Sequence, residues 1–127
     1  MNKWLLVSLI PMVIFCLIFS GCGTKAITDP EQVVNVSFNK EFTIALGSNI
    51  TTGYSWQPEY DLNALTLVGH EYKSDDTMGK VVGAVGTEYF HFKAIKTGNT
   101  QISFTYYRPW ETPKPEDSIA EFNVVVK

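Results

Sequence analysis

Cysteine is nearly absent from this chain of 127 residues: Cys16 and Cys22 are the two it has, and none follows. Residues 23–127 therefore hold no disulfide, no thiolate metal site and no cysteine nucleophile, and their fold rests on an apolar core alone. A domain of about this size buries well over half of its unfolded surface, so that is enough. Histidine is scarce as well, with only His70 and His91. Neither stands in a local Ser-His-Asp arrangement, where a base must sit beside a nucleophile and be oriented by a third group. No enzyme is expected, and His91, out of phase with Phe90 and Phe92, takes a solvent-facing place. Basic charge is lacking too: the formal net charge is −3, which argues against nucleic acid as a partner. Glu71 with Asp75 and Asp76 fits no calcium-loop spacing. It reads as a solvated acidic turn, and neither metal nor cofactor is expected. Helical periodicity is missing from the whole chain after residue 22.

The N-terminus is of another kind. Lys3 precedes an apolar run from Trp4 to Phe19, broken only by Ser8 and Pro11, and small residues Ser20 and Gly21 lead into Cys22. This is the layout of a secretory signal. Its ending, Phe19-Ser20-Gly21-Cys22, resembles the bacterial lipoprotein signal, with Phe19 in place of the usual Leu. That resemblance implies cleavage before Cys22, lipid on its sulfur, and a place in the bacterial cell envelope facing away from the cytoplasm. The run is also close to the length that crosses a bilayer, so an uncleaved anchor is the other reading. Residues 1–21 are thus expected as signal peptide, 22–32 as lipidated Cys and polar tether, and 33–127 as one domain.

Within that domain apolar residues alternate with polar ones, the period of strands. Val34, Val36 and Phe38 form one such set. Phe42, Ile44 and Leu46 form a second, after an Asn39-Lys40 turn. A third strand is expected from Gly53 to Gln57, stopped by Pro58, and a fourth from Leu65 to Tyr72 with Leu65, Leu67 and Gly69 on one side. Glu88, Phe90, Phe92 and Ala94 share a parity, as do Ile102, Phe104 and Tyr106, and then Phe122, Val124 and Val126. About seven short strands separated by turns predict an all-β fold, an antiparallel β-sandwich.

Three of the connections carry more than a connector needs. Leu46 to Trp56 holds Gly47, Ser48, Asn49, Thr51, Thr52 and Gly53 between two apolar runs. Val82 to Thr87 contains Gly83 and Gly86, whose missing side chains permit close backbone approach. Tyr107-Arg108-Pro109-Trp110-Glu111 brings together the residue types that dominate interface energies, around a proline that fixes a backbone angle. The alternative for Trp110 is burial under a neighbouring loop. Tyr54 and Trp56 are expected to support the first loop from the core side.

Taken in order, Asn49-Ile50-Thr51-Thr52-Gly53-Tyr54, then Gly83-Ala84-Val85-Gly86, then Arg108-Pro109-Trp110 resemble the chagasin family of cysteine-peptidase inhibitors. The family pattern is N-P-T-T-G-Y/F, a glycine-containing loop and R-P-W. The likeness runs from about Val33 to Val126. It implies an immunoglobulin-like β-sandwich, a monomer, that reversibly and non-covalently inhibits papain-type cysteine peptidases. Three loops would occlude the active-site cleft, with Asn49, Ile50, Thr51, Thr52, Gly53, Tyr54, Gly83, Ala84, Gly86, Arg108, Pro109 and Trp110 as the contact set. Ile50 departs from the family's proline, which implies a less rigid loop and a lower affinity. The alternative is a surface lipoprotein that binds a glycan or a partner protein and keeps these motifs as scaffold.

Overall fold

The computed structural model describes residues 25–75 and 85–127. Seven strands run in chain order: β1 (Val34–Val36), β2 (Glu41–Ser48), β3 (Ser55–Glu59), β4 (Leu65–Ser74), β5 (Gly86–Ala94), β6 (Gly98–Tyr107) and β7 (Ser118–Val126). They form two sheets, ordered β1-β7-β6-β3 and β2-β5-β4. One three-residue 3-10 turn, Ile50–Thr52, is the helical element among the described residues. The expected all-β sandwich is what the chain builds.

The core forms where the alternating sets of the two sheets face each other. Phe42, Ile44 and Leu46 meet Leu65, Phe90, Phe92 and Ala94 within one sheet, and Ile102, Phe104, Phe122, Val124 and Val126 close it from the other. Phe104 is central, with its ring centroid 4.8 Å from Phe90 and 5.8 Å, edge-on, from Phe122. Each such ring contributes about 1.5–3 kcal/mol by leaving water. With no disulfide available, the contacts of Phe104 with Phe90 and Phe92, and the apolar side chains around them, hold the two sheets together.

Several local expectations are corrected. Pro58 does not end the third strand but lies inside it, opposite Phe104. β3 is an edge strand, so proline's missing N–H can face the open side at no cost to the ladder. Between Leu67 and Gly69 the register of β4 against β5 shifts at a bulge. The extra residue flips the pleat, so Gly69 pairs with outward-facing His91 while His70 turns to stack on Phe90 at 4.3 Å. Phe38 is exposed rather than continuing the inward set of β1. Its neighbour Asn39 takes the left-handed conformation, φ 66°, that turns the chain into β2. Among the seven strands, pairing is antiparallel except that β1 joins β7 in parallel. Ahead of β1, within the stretch expected as tether, Ile27 bridges the outer edge of β2 through Ile27 N–H to the Thr43 carbonyl and Ala45 N–H to the Ile27 carbonyl.

Candidate functional site

Antiparallel order puts alternate connections at the same end of the sandwich. Ser48, at the exit of β2, pairs with Gly86 at the entry of β5. Ser55 pairs with Tyr107, and Tyr106 with Ser118. The β2–β3, β4–β5 and β6–β7 connections therefore share one pole, as expected from strand order.

The first connection is built from its own hydrogen bonds. Asn49, in extended conformation, caps the 3-10 turn: its Oδ1 accepts from Thr51 N–H at 3.2 Å and from the Thr51 hydroxyl at 2.5 Å. The Thr52 hydroxyl donates to the Asn49 carbonyl at 2.7 Å. Gly53 closes the turn with φ 82°, a left-handed residue whose N–H reaches the Ile50 carbonyl. Ile50, Thr51 and Thr52 thus stand exposed at the tip of a short turn braced by its own hydrogen bonds.

The β6–β7 connection leans on the first. Arg108 Nε–H donates to the Thr52 carbonyl at 3.1 Å. Its guanidinium lies 4.8 Å from the Tyr54 ring centroid and pairs with Glu111 at 3.5 Å. Trp110 lies across Gly53, and a β-carbon placed there would stand 2.5 Å from its ring. Yet Trp110 is 72% exposed, so the alternative of burial is not what the fold does. A large indole is held in position and offered to solvent.

Beneath both loops runs an aromatic seam. Tyr106 packs 5.4 Å from Tyr54 and 4.8 Å from Trp56, and its hydroxyl accepts the Asn49 N–H at 3.0 Å. Trp56 donates its indole N–H to the Gly47 carbonyl at 2.9 Å. Tyr54 and Trp56 support the loop from behind, as anticipated. Between the two loops lies an open groove of about 510 Å³, floored by Tyr54 and Tyr106 and rimmed by Glu116 and Asp117.

One residue with a structural part in this pole was not singled out from the sequence. Glu88, 1% exposed, sits among the inward phenylalanines of β5. Its Oε2 accepts the Trp56 backbone N–H at 3.0 Å across the gap between the sheets, and its Oε1 lies 3.0 Å from His70 Nε2. A buried carboxylate is tolerated only with such partners. The strand that emerges from the loop is thereby tied to the opposite sheet. The available signal was a charged residue on an otherwise apolar parity.

Gly86 is the first residue of β5 and buried; a β-carbon there would run into Tyr72 and the Lys73 carbonyl. Gly83 and Ala84 lie outside the described residues, as do Cys22 and the apolar run before it. The structure brings Asn49 to Tyr54 together with Arg108 and Trp110, and Pro109 between them is exposed.

A sandwich presenting a self-capped turn and a fixed, exposed indole at one pole is a binding protein and carries no catalytic constellation among the described residues. A family model described as chagasin family peptidase inhibitor I42 matches residues 35–126. Amoebiasin-2 of Entamoeba histolytica is 31% identical over 99 residues, 78% of this chain and 80% of its own length. Chagasin of Trypanosoma cruzi is also 31% identical over 99 residues, covering 74% and 86%. The crystal structure of the cysteine protease inhibitor EhICP2 from Entamoeba histolytica superposes with a TM-score of 0.69 at 30% identity, over 80% of this chain and 94% of that one. The chain belongs to the chagasin family of peptidase inhibitors and is an inhibitor, not an enzyme.

Proposed function

We propose that the three-loop pole is the inhibitory surface and that it fills the active-site cleft of papain-type cysteine peptidases without a covalent bond. Thr51 and Thr52 enter the cleft, since they stand at the tip of the capped turn. Arg108, Pro109 and Trp110 grip one side, and the β4–β5 connection with Gly83 and Ala84 grips the other, while Gly86, buried at the start of β5, carries that connection and makes no contact itself. The observation that carries this is Trp110: an indole packed against Gly53 and still exposed has little ordering left to do on binding. A rigid convex wedge and a concave cleft are complementary on that ground. The inhibitor acts as a monomer, and its N-terminal sequence supports attachment to a bacterial envelope membrane through lipid on Cys22.

Titration of papain with the protein tests the proposal. Inhibition by micromolar concentrations, competitive with substrate and reversed on dilution, is expected. Full peptidase activity at that concentration would sink it and return the pole to the alternative of glycan or partner-protein binding.

A further inference from the structure

The large apolar side chains left in water sort by position. Ile50, Val85 and Trp110 belong to the inhibitory pole, Ile119 lies near it at the start of β7, and Val33 and Val68 stand singly along the flanks. The remaining three, Phe38 (53% exposed), Leu62 (74%) and Ile95 (38%), all lie at the opposite pole. They occupy three different turns that are joined by backbone hydrogen bonds. Asn39 N–H reaches the Ala94 carbonyl, Ile95 N–H the Ala64 carbonyl, and Phe38 N–H the Lys127 carbonyl. Exposed Lys40, Lys96 and Lys127 surround them. The acids nearby are Glu41, Glu59 and Asp61, and Asp61 already accepts the Asn63 N–H.

The described residues ahead of β1 begin at this same pole. Ile27 bridges Ile44 in parallel, and β2 runs from Glu41 up to the inhibitory loops. Residues 25 and 26 therefore lie toward the Glu41 end, where Lys25 adds a fourth exposed lysine. Cys22 is three residues before Lys25. Fully extended, that covers about 11 Å. A chain anchored at or before Cys22 cannot lift this pole far from the bilayer.

We propose that the pole carrying Phe38, Leu62 and Ile95 docks on the surface of an anionic lipid bilayer, with the three apolar tips in the interface and the lysines on the headgroups. This rests on the reading that the N-terminal segment anchors the chain to a membrane, and it adds a second contact with its own chemistry. Apolar tips with flanking lysines are the composition of an interfacial surface. The strands are 8 to 10 residues long in β2, β4 and β6. At roughly 3.3 Å per residue they hold the inhibitory loops about 30 Å above the lipid, facing outward.

The test uses the full-length chain, reconstituted on vesicles of phosphatidylcholine alone and of phosphatidylcholine mixed with phosphatidylglycerol. Flotation with either vesicle reports the anchor. Backbone hydrogen exchange reports the pole. The turns 37–40, 61–64 and 95–97 are expected to exchange about tenfold more slowly on the anionic vesicles, with 49–54 and 108–117 the same on both. The triple variant Phe38→Ser, Leu62→Ser, Ile95→Ser and the double variant Lys40→Gln, Lys96→Gln should each abolish that difference while still floating and inhibiting papain. Equal exchange of the three turns on both vesicles would overturn the proposal, with flotation showing whether the anchor also failed. So would equal protection in detergent micelles, which would assign the cover to the chain's own N-terminal segment or to a second copy.

Discussion

The two described loops of the proposed inhibitory pole reach rigidity by opposite routes. Asn49 to Tyr54 is held mainly by its own bonds: a cap, two hydroxyl bonds and a left-handed glycine fix its tip. The 108–117 loop has three prolines to limit its backbone, but its two large side chains find their positions on the neighbour, Arg108 on the Thr52 carbonyl and Trp110 on the face of Gly53. One loop is a template and the other is cast on it. Gly53 is where they meet, and it does two jobs that no other residue type can combine: a φ of 82° and an absent β-carbon.

That asymmetry can be broken most severely at the meeting point. Gly53→Ala strains the backbone and displaces Trp110 together, so inhibition should weaken by about 3 kcal/mol, more than a hundredfold. An inhibition constant within a factor of three of the wild type would show that the loops are not coupled there. Trp110→Ala removes the cast side chain and leaves the template, at a cost of about 2 kcal/mol in the inhibition constant. Because the indole is exposed, the unfolding midpoint in urea should stay where it is. A loss of stability as large as the loss of binding would put the indole's main role in the fold.

Smaller effects probe the template alone. Asn49→Ala deletes the cap and should cost about 1 kcal/mol of binding, with Thr51 and Thr52 amides exchanging faster by hydrogen-exchange measurement. Unchanged exchange would mean that Gly53 and the Tyr106 hydroxyl suffice to hold the turn. Ile50→Pro should act in the other direction. Ile50 is the first residue of the 3-10 turn, where proline fits, and Asn49 before it is already extended, as a residue preceding proline prefers. A gain of about 0.5 kcal/mol in stability and a modestly tighter inhibition constant are expected. A loss on both counts would show that the exposed Ile50 side chain itself contacts the peptidase.

Period-two alternation was enough to assign Phe42, Ile44, Leu46, Phe90, Phe92, Ile102, Phe104 and Phe122 to the interior. The pleat fixes which face a side chain takes from its position along the strand, and that information is local. The spacing of Asn49–Tyr54 and Arg108–Trp110 likewise lay in the sequence, because strand order alone brings alternate connections to one end. Apart from the turn at Asn39 that puts Phe38 outside, where the reading departed from the structure the missing fact was a partner. Proline inside β3 depends on that strand lying at an edge. The switch of His70 to the inner face depends on a bulge against β5, and Glu88 is tolerated in the core because Trp56 and His70 reach it from two different strands. Tertiary structure also decided that Trp110 lies on Gly53 and faces water, and that Ile27 adds to the edge of β2. These depend on contacts between residues far apart in sequence, which only the closed sandwich brings together.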